Sequence, residues 1–180
     1  MSKRIPRLSA EQMPAELASF LEPRIKRLGY LGEFFQCTAH QPEALLSFLR
    51  FTEQLKHALP ENLTETVALS VAKLLDNAYE RVQHERLAAK LGFSRAWIDE
   101  VLSLGVNGYN SVSVQEQAVQ KLVISSVQKG GRDTGTELEA VIDAIGPQQA
   151  IAVLMLIGRY FSHALIVNAL QLPPPPAVRS

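Results

Sequence analysis

The sequence predicts an all-α fold, and three observations carry that expectation. Apolar residues recur at three- and four-residue spacing along most of the chain, and no segment shows the strict alternation of a half-buried strand. Helix-start signatures repeat, with a side-chain acceptor followed three residues later by an acid at Asn62/Glu65, Ser113/Glu116 and Thr136/Glu139. Proline and glycine fall between the periodic stretches, where helices begin and end. With 180 residues, 47% of them hydrophobic, the chain suits a single domain over residues 1–180 with a sizeable core.

Residues 1–9 read as a flexible arm. Pro14 to Leu28 has helical spacing at Leu17, Phe20, Leu21 and Ile25, with Pro23 expected to break it. Phe34-Phe35 is a short apolar anchor of about one helical turn. Gln41-Pro42 opens the next helix, whose buried stripe is Leu45, Leu46, Leu49, Leu55 and Leu59, and Pro60 stops it. Asn62 to Gly92 reads as one long helix capped by Asn62 and Glu65. Ser94 caps a short helix through Trp97, Ile98 and Val101, closed by Gly105. Ser113 opens a helix ended by Gly130-Gly131, and Thr136 opens another that Gly146-Pro147 separates from the last, Gln148 to Leu170. That last stretch is apolar on nearly every side but is interrupted by Gly158, Arg159, His163 and Asn168, so it is expected to be buried by other helices or by a second copy of the chain. The Pro-rich tail, 172–180, is expected to be stiff and extended. No internal repeat is visible.

Composition excludes several function classes. With 18 basic and 18 acidic residues the net charge is zero, which gives no reason to expect nucleic acid or an anionic membrane surface as partner. No apolar signal region follows the basic N-terminus and no uninterrupted apolar run is long enough to span a bilayer, so a cytoplasmic protein is expected. The lone cysteine, Cys37, excludes an intrachain disulfide and any Cys-x-x-Cys redox or zinc motif. There is no His-x-x-x-His, no Gly-rich phosphate loop and no Gly-x-Ser-x-Gly elbow, and no metal or cofactor is expected.

The candidate chemistry lies in Asn62–Gly92. On one long helix, Ser70, Lys73, Asn77, Glu80 and His84 share an arc separate from the apolar arc of Val67, Val71, Leu74, Leu75, Ala78 and Val82. An amide, a carboxylate and an imidazole at i, i+3 and i+7 make a plausible pocket wall. His84 can take and return a proton at neutral pH, and Glu80, one turn earlier, can orient it. Glu65 serves as a cap or as a proton-handling acid. Lys73 could bind a substrate carboxylate, Asn77 could donate a hydrogen bond to substrate, and His163 is either a satisfied core residue or a pocket wall.

These residues carry a resemblance. Glu65, His84 and the following Leu87-Ala88-Ala89-Lys90-Leu91-Gly92 match the register of the carboxymuconolactone decarboxylase and alkylhydroperoxidase D superfamily, small all-helical proteins. Asn77 and Glu80 stand where the peroxidase branch carries its Cys-x-x-Cys pair. Tyr79-Glu80-Arg81-Val82-Gln83-His84 resembles the Tyr-Glu-x-x-x-His branch, which is similar to the decarboxylase side, and His40 to Leu45 resembles the family's first hairpin arm. The resemblance implies a bundle of about six to eight helices and a homotrimer or homohexamer. It also implies a cofactor-free lyase in which His84 with Glu80 or Glu65 moves protons on a small carboxylated or lactone substrate, with Asn77, Lys73, Tyr79 and His163 lining the site. The alternatives are a non-catalytic binding or assembly member and, third, a peroxiredoxin-type alkylhydroperoxidase, which the missing thiols disfavour.

Overall fold

The computed structural model describes residues 5–176. Among them there are eight α-helices, a single 3-10 turn at Ala10–Gln12 and no strand. The helices are α1 (Ala15–Leu28), α2 (Glu33–Thr38), α3 (Pro42–Ala58), α4 (Glu61–Leu74), α5 (Ala78–Lys90), α6 (Arg95–Leu102), α7 (Val114–Lys129) and α8 (Gly135–Leu170).

α4 is the axis of the molecule. Every residue from Leu63 to Ala72 is buried, and the helix packs against α5, α6, α7 and α8. A helix so enclosed must satisfy its polar groups internally. Thr66 donates to the Asn62 carbonyl, and the Ser70 hydroxyl accepts from the Gln120 amide of α7. Val67 and Val71 of α4 join Val119, Leu122 and Val123 of α7 and Val153, Leu156 and Tyr160 of α8 in the largest apolar cluster. A second cluster gathers α1, α2 and α3 with Tyr79 and Val167. A third sets Leu69 and Ala88 against Trp97, Ile98 and Val101 of α6.

Local chemistry explains most boundaries. Pro42 occupies the first turn of α3, Ser94 accepts from the Trp97 amide, Ser113 and Glu116 close a reciprocal capping box, and Gly130 ends α7 in the left-handed conformation. Gly146, at φ 81° and ψ 163°, kinks α8 just before Pro147, as the Gly-Pro pair anticipates.

Four expectations are corrected. α1 runs unbroken through Pro23, because the proline is exposed and so is Ser19, whose carbonyl it leaves without an amide partner. The N-terminal segment is fastened from Pro6 to Leu8: the Leu8 amide donates to the Gln36 carbonyl, Arg7 pairs with Glu33 at 2.9 Å, and His40 contacts the Pro6 carbonyl. Residues 1–4 of the expected arm and 177–180 of the expected tail lie outside the described residues. α8 is bent at Gly146 into two helical stretches, as expected, but it contains a window long and apolar enough by composition to cross a bilayer, where no such run was expected; half of that window is buried within the fold.

The fourth correction matters most for function. Asn62–Gly92 is two helices, not one. α4 ends in a Schellman motif, in which the Asn77 amide reaches back to the Ala72 carbonyl at 2.8 Å and Asp76 sits at φ 48°. Asn77 then caps α5, its side-chain oxygen accepting from the Glu80 amide. The Asn62/Glu65 capping box does not form either. Asn62 donates to Glu116 across to α7, and Glu65 is buried with 2% exposure.

Candidate active site

The break after Leu74 folds α5 back beside α4. Glu65 and His84 are 19 residues apart, a separation of roughly 28 Å along a continuous α-helix. In the structure the His84 Nδ1 lies 2.7 Å from the Glu65 Oε2, and both side chains are buried. The other ring nitrogen, Nε2, lies 3.2 Å from the Glu80 Oε2 and 3.2 Å from the Tyr160 hydroxyl, whose ring meets the imidazole edge-on. The imidazole is therefore held at both nitrogens. A protonated ring donates from Nδ1 to Glu65 and from Nε2 to Glu80, whereas a ring that has lost the Nε2 proton accepts from the Tyr160 hydroxyl instead.

α8 completes the arrangement. The Glu80 Oε1 accepts from the Arg159 guanidinium at 3.1 Å and from the His163 Nε2 at 3.1 Å. Arg159 is itself aligned by donating to the Thr52 hydroxyl of α3, and it lies over the Tyr160 and Phe48 rings. His163 stacks on Phe34 with ring centroids 4.0 Å apart. Its Nδ1 and the Tyr79 hydroxyl are buried without a hydrogen-bond partner among the described residues.

Burial and neighbouring charge set different protonation states for these groups. Burial opposes a charge on His84, but the Glu65 carboxylate and the hydrogen bonds from Glu65 and Glu80 outweigh it and hold the imidazole above its ordinary value. Burial would raise Glu80, yet His163, His84 and Arg159 together hold it well below the usual carboxylate range. His163 is pushed down to about 3, chiefly by burial, with Arg159 and His84 opposing its protonation and Glu80 only partly compensating. Burial raises the Tyr160 phenol well above its ordinary value. The surroundings thus favour the imidazolium form of His84, while His163 stays neutral as a donor to Glu80.

Beside this cluster opens a cavity of about 340 Å³, with His84, Glu80, His163 and Tyr79 in its wall. Six cationic side chains line it, Arg24, Arg27, Lys56, Arg86, Lys90 and Arg159, against two carboxylates, Glu53 and Glu80. Tyr30, Phe35, Leu28 and Leu87 add apolar surface. A chain of zero net charge has concentrated its positive charge around one concavity, which favours a small anion. No group of three or more His, Cys, Asp or Glu side chains among the described residues is arranged to hold a metal ion.

No family model and no curated protein matches the sequence. Solved structures do. An uncharacterized peroxidase-related protein with an alkylhydroperoxidase AhpD core, from Ralstonia eutropha JMP134, superposes with a TM-score of 0.83 at 13% identity, covering 96% of this chain and 92% of that one. The debrominase Bmp8 in its apo form superposes with a TM-score of 0.81 at 12% identity, covering 95% and 91%. A putative antioxidant defence protein AhpD from Agrobacterium tumefaciens gives 0.68 at 15% identity, covering 78% and 96%. The chain has the AhpD-like fold.

Within that AhpD-like bundle, the expected site residues separate into two groups. Glu65, Glu80 and His84 are brought into mutual contact, and Tyr79 and His163 line the adjoining cavity. Lys73 is exposed on α4 and absent from the cavity wall, and Asn77 is buried as the cap of α5 and absent from it too. The shared polar arc fails because the helix that would carry it is broken; Ser70 faces Gln120 of α7 instead. Arg159, Tyr160, Lys56 and the cationic rim were not singled out from the sequence. The available signal for Arg159 was a charge one turn before His163 in an otherwise apolar helix, a position that is costly unless the charge is paired.

Cys37 lies in the apolar cluster of α1–α3, 3% exposed and away from the cavity wall, with its thiol pushed up by burial. A thiol in that setting is a weak nucleophile.

Proposed function

We propose that this protein is a cofactor-free lyase, similar to carboxymuconolactone decarboxylases, that moves a proton on a small carboxylated or lactone substrate. The observation that carries this reading is the Glu65–His84–Glu80 chain set in the wall of a cavity whose rim is cationic. Cationic side chains would hold the substrate carboxylate, with Arg159 nearest Glu80. His84, whose imidazolium Glu65 and Glu80 favour, would deliver its Nε2 proton to the carbanion or enolate that decarboxylation or lactone isomerisation generates. The Tyr160 hydroxyl would cover the vacated nitrogen, and Glu65 would stabilise the imidazolium on each return. A thiol peroxidase reading is disfavoured, because Asn77 and Glu80 stand at the two thiol positions and Cys37 is buried elsewhere.

A thermal-shift screen of small carboxylic acids and lactones tests the reading, since a binder stabilises the folded state by mass action. The expected result is stabilisation by carboxylates that weakens when Arg159 is neutralised. Stabilisation by no anion, or turnover of a verified substrate by His84→Ala at the wild-type rate, would overturn it and favour a non-catalytic binding role. A cytoplasmic site of action belongs to the same proposal.

A further inference from the structure

Among the described residues, Lys56 is the half-buried cation of the cavity wall that has no partner; Arg27 and Lys90 lack one too but are exposed. Other groups around Lys56 are committed: Arg159 to Glu80 and Thr52, Glu80 to His84 and His163, and Glu53 to Arg24 at 3.8 Å. Among the described residues Lys56 makes no hydrogen bond and no ion pair, although it is half-buried in the cavity wall. It stands one turn beyond Thr52 on α3, a helix fixed by five buried residues, so its stem is rigidly mounted. A lysine used only for charge finds a carboxylate or points to solvent. One held half-buried beside two guanidiniums is in the setting that turns an ammonium into an amine nucleophile.

We propose that Lys56 is a covalent catalytic residue, whose amine forms a Schiff base with the carbonyl of a β-oxo carboxylate held by the cationic rim. This rests on the lyase reading above and narrows its substrate class. The neutral amine adds to the carbonyl carbon, and the carbinolamine takes up a proton and loses water to give an iminium; the final hydrolysis returns that proton. The bond from the α-carbon to the carboxylate then breaks, carbon dioxide leaves, and the electron pair moves into an enamine as the iminium nitrogen becomes neutral. The α-carbon takes a proton from the His84 imidazolium, and water hydrolyses the regenerated iminium, releasing a ketone and the free amine. The water lost in the first stage is regained in the last, so the net change is oxo acid plus a proton to ketone plus carbon dioxide, with no external oxidant or reductant. Burial holds the Lys56 ammonium below its ordinary value. The groups facing it are Glu65 of α4 and Glu80 of α5, which oppose the shift, and Arg159 of α8 and Arg24 of α1, which reinforce it.

The test is reductive trapping of the full-length protein with acetoacetate, and separately benzoylacetate, in the presence of sodium cyanoborohydride at pH 7, followed by peptide mass mapping. The expected result is an adduct on Lys56 that accumulates at least about tenfold faster than any on exposed Lys73, because more of its amine is unprotonated. The same adduct is expected in His84→Ala, since iminium formation needs only the Lys56 amine; failure of the His84 reading therefore leaves this result intact. Lys56→Arg removes the nucleophilic amine while leaving a cationic side chain in the wall, and is expected to retain stabilisation by acetate while losing turnover. No adduct on Lys56 with either acid, labelling no faster than at Lys73, or unchanged turnover in Lys56→Arg would each overturn the proposal and leave Lys56 as an anion-binding side chain.

Discussion

His84 is gripped at Nδ1 by Glu65 and at Nε2 by Glu80 and Tyr160, so its partners can be removed one at a time. His84→Ala is expected to lower a general acid–base step by roughly 10²–10⁴-fold, with the helix intact because alanine is the better helix former. Glu80→Gln is expected to cost less. Glu65 supplies the largest force raising the His84 pKa, so Glu65→Gln should lower it; histidine titration followed by NMR would then shift acidward, and the alkaline limb of the rate profile with it. The two histidines also give opposite signs in stability. His163 has a folded value of about 3, so between 3 and the ordinary 6.5 the unfolded chain binds more protons and stability rises with pH. His84 is raised, so its contribution is fully present below 6.5 and is lost as pH climbs through its folded value. Urea denaturation across pH should therefore show His163→Gln flattening the acid side relative to wild type, and His84→Gln flattening the near-neutral alkaline side. If both variants keep the wild-type slope, the assigned protonation states are wrong.

At the scale of the element, the site depends on the three residues Leu75 to Asn77 that separate α4 from α5. Asp76 bears a left-handed backbone for which glycine has no penalty, so Asp76→Gly should raise stability by about 1 kcal/mol. Asn77→Ala removes the cap of α5 and should cost about 1 kcal/mol, measurable by urea denaturation, with reduced activity because Glu80 and His84 ride on that helix. This short break also marks where the sequence stopped being legible. Helix-rich composition, the Ser94 and Ser113 caps, the Gly130 stop and the Gly146-Pro147 kink all rest on local chemistry, and each was visible. Leu-Asp-Asn inside a long apolar period contains neither glycine nor proline, so its turn is decided by tertiary packing and Asn77 read as a pocket residue when it is a cap. Glu65, open in the sequence between a cap and a proton-handling acid, is a buried partner of His84. Lys56 was out of reach for the same reason: it comes to the site from α3, and sequence spacing reports nothing about helices packed at long range.

At the scale of the whole molecule, what remains uncovered is the outer face of α8. Ile151, Met155, Phe161 and Leu165 are 56%, 45%, 43% and 64% exposed, although the opposite face of the same helix fills the core. Gly158 lies between them with nothing near its missing Cβ, which would let another backbone approach closely. Toward the end of the helix Leu75, Phe161, Ala164, Leu165, Asn168 and Ala169 form a shallow depression that continues the stripe. A contiguous apolar stripe along several helical turns is costly in water and is ordinarily covered. Because it lies on one surface of one helix, a closed symmetric assembly can bury it in every subunit at once. The expected state is a closed homo-oligomer, for which the family resemblance implies a homotrimer or homohexamer. Sedimentation at micromolar concentration should show no species near the 19.9 kDa monomer mass. Met155→Glu with Leu165→Glu places charges in that interface without touching Arg159, Tyr160 or His163, which occupy the inner side of the helix. The double variant should dissociate while its circular dichroism stays helical. A wild-type protein that sediments as a single monomeric species would overturn the assembly, and the stripe would then need a different partner.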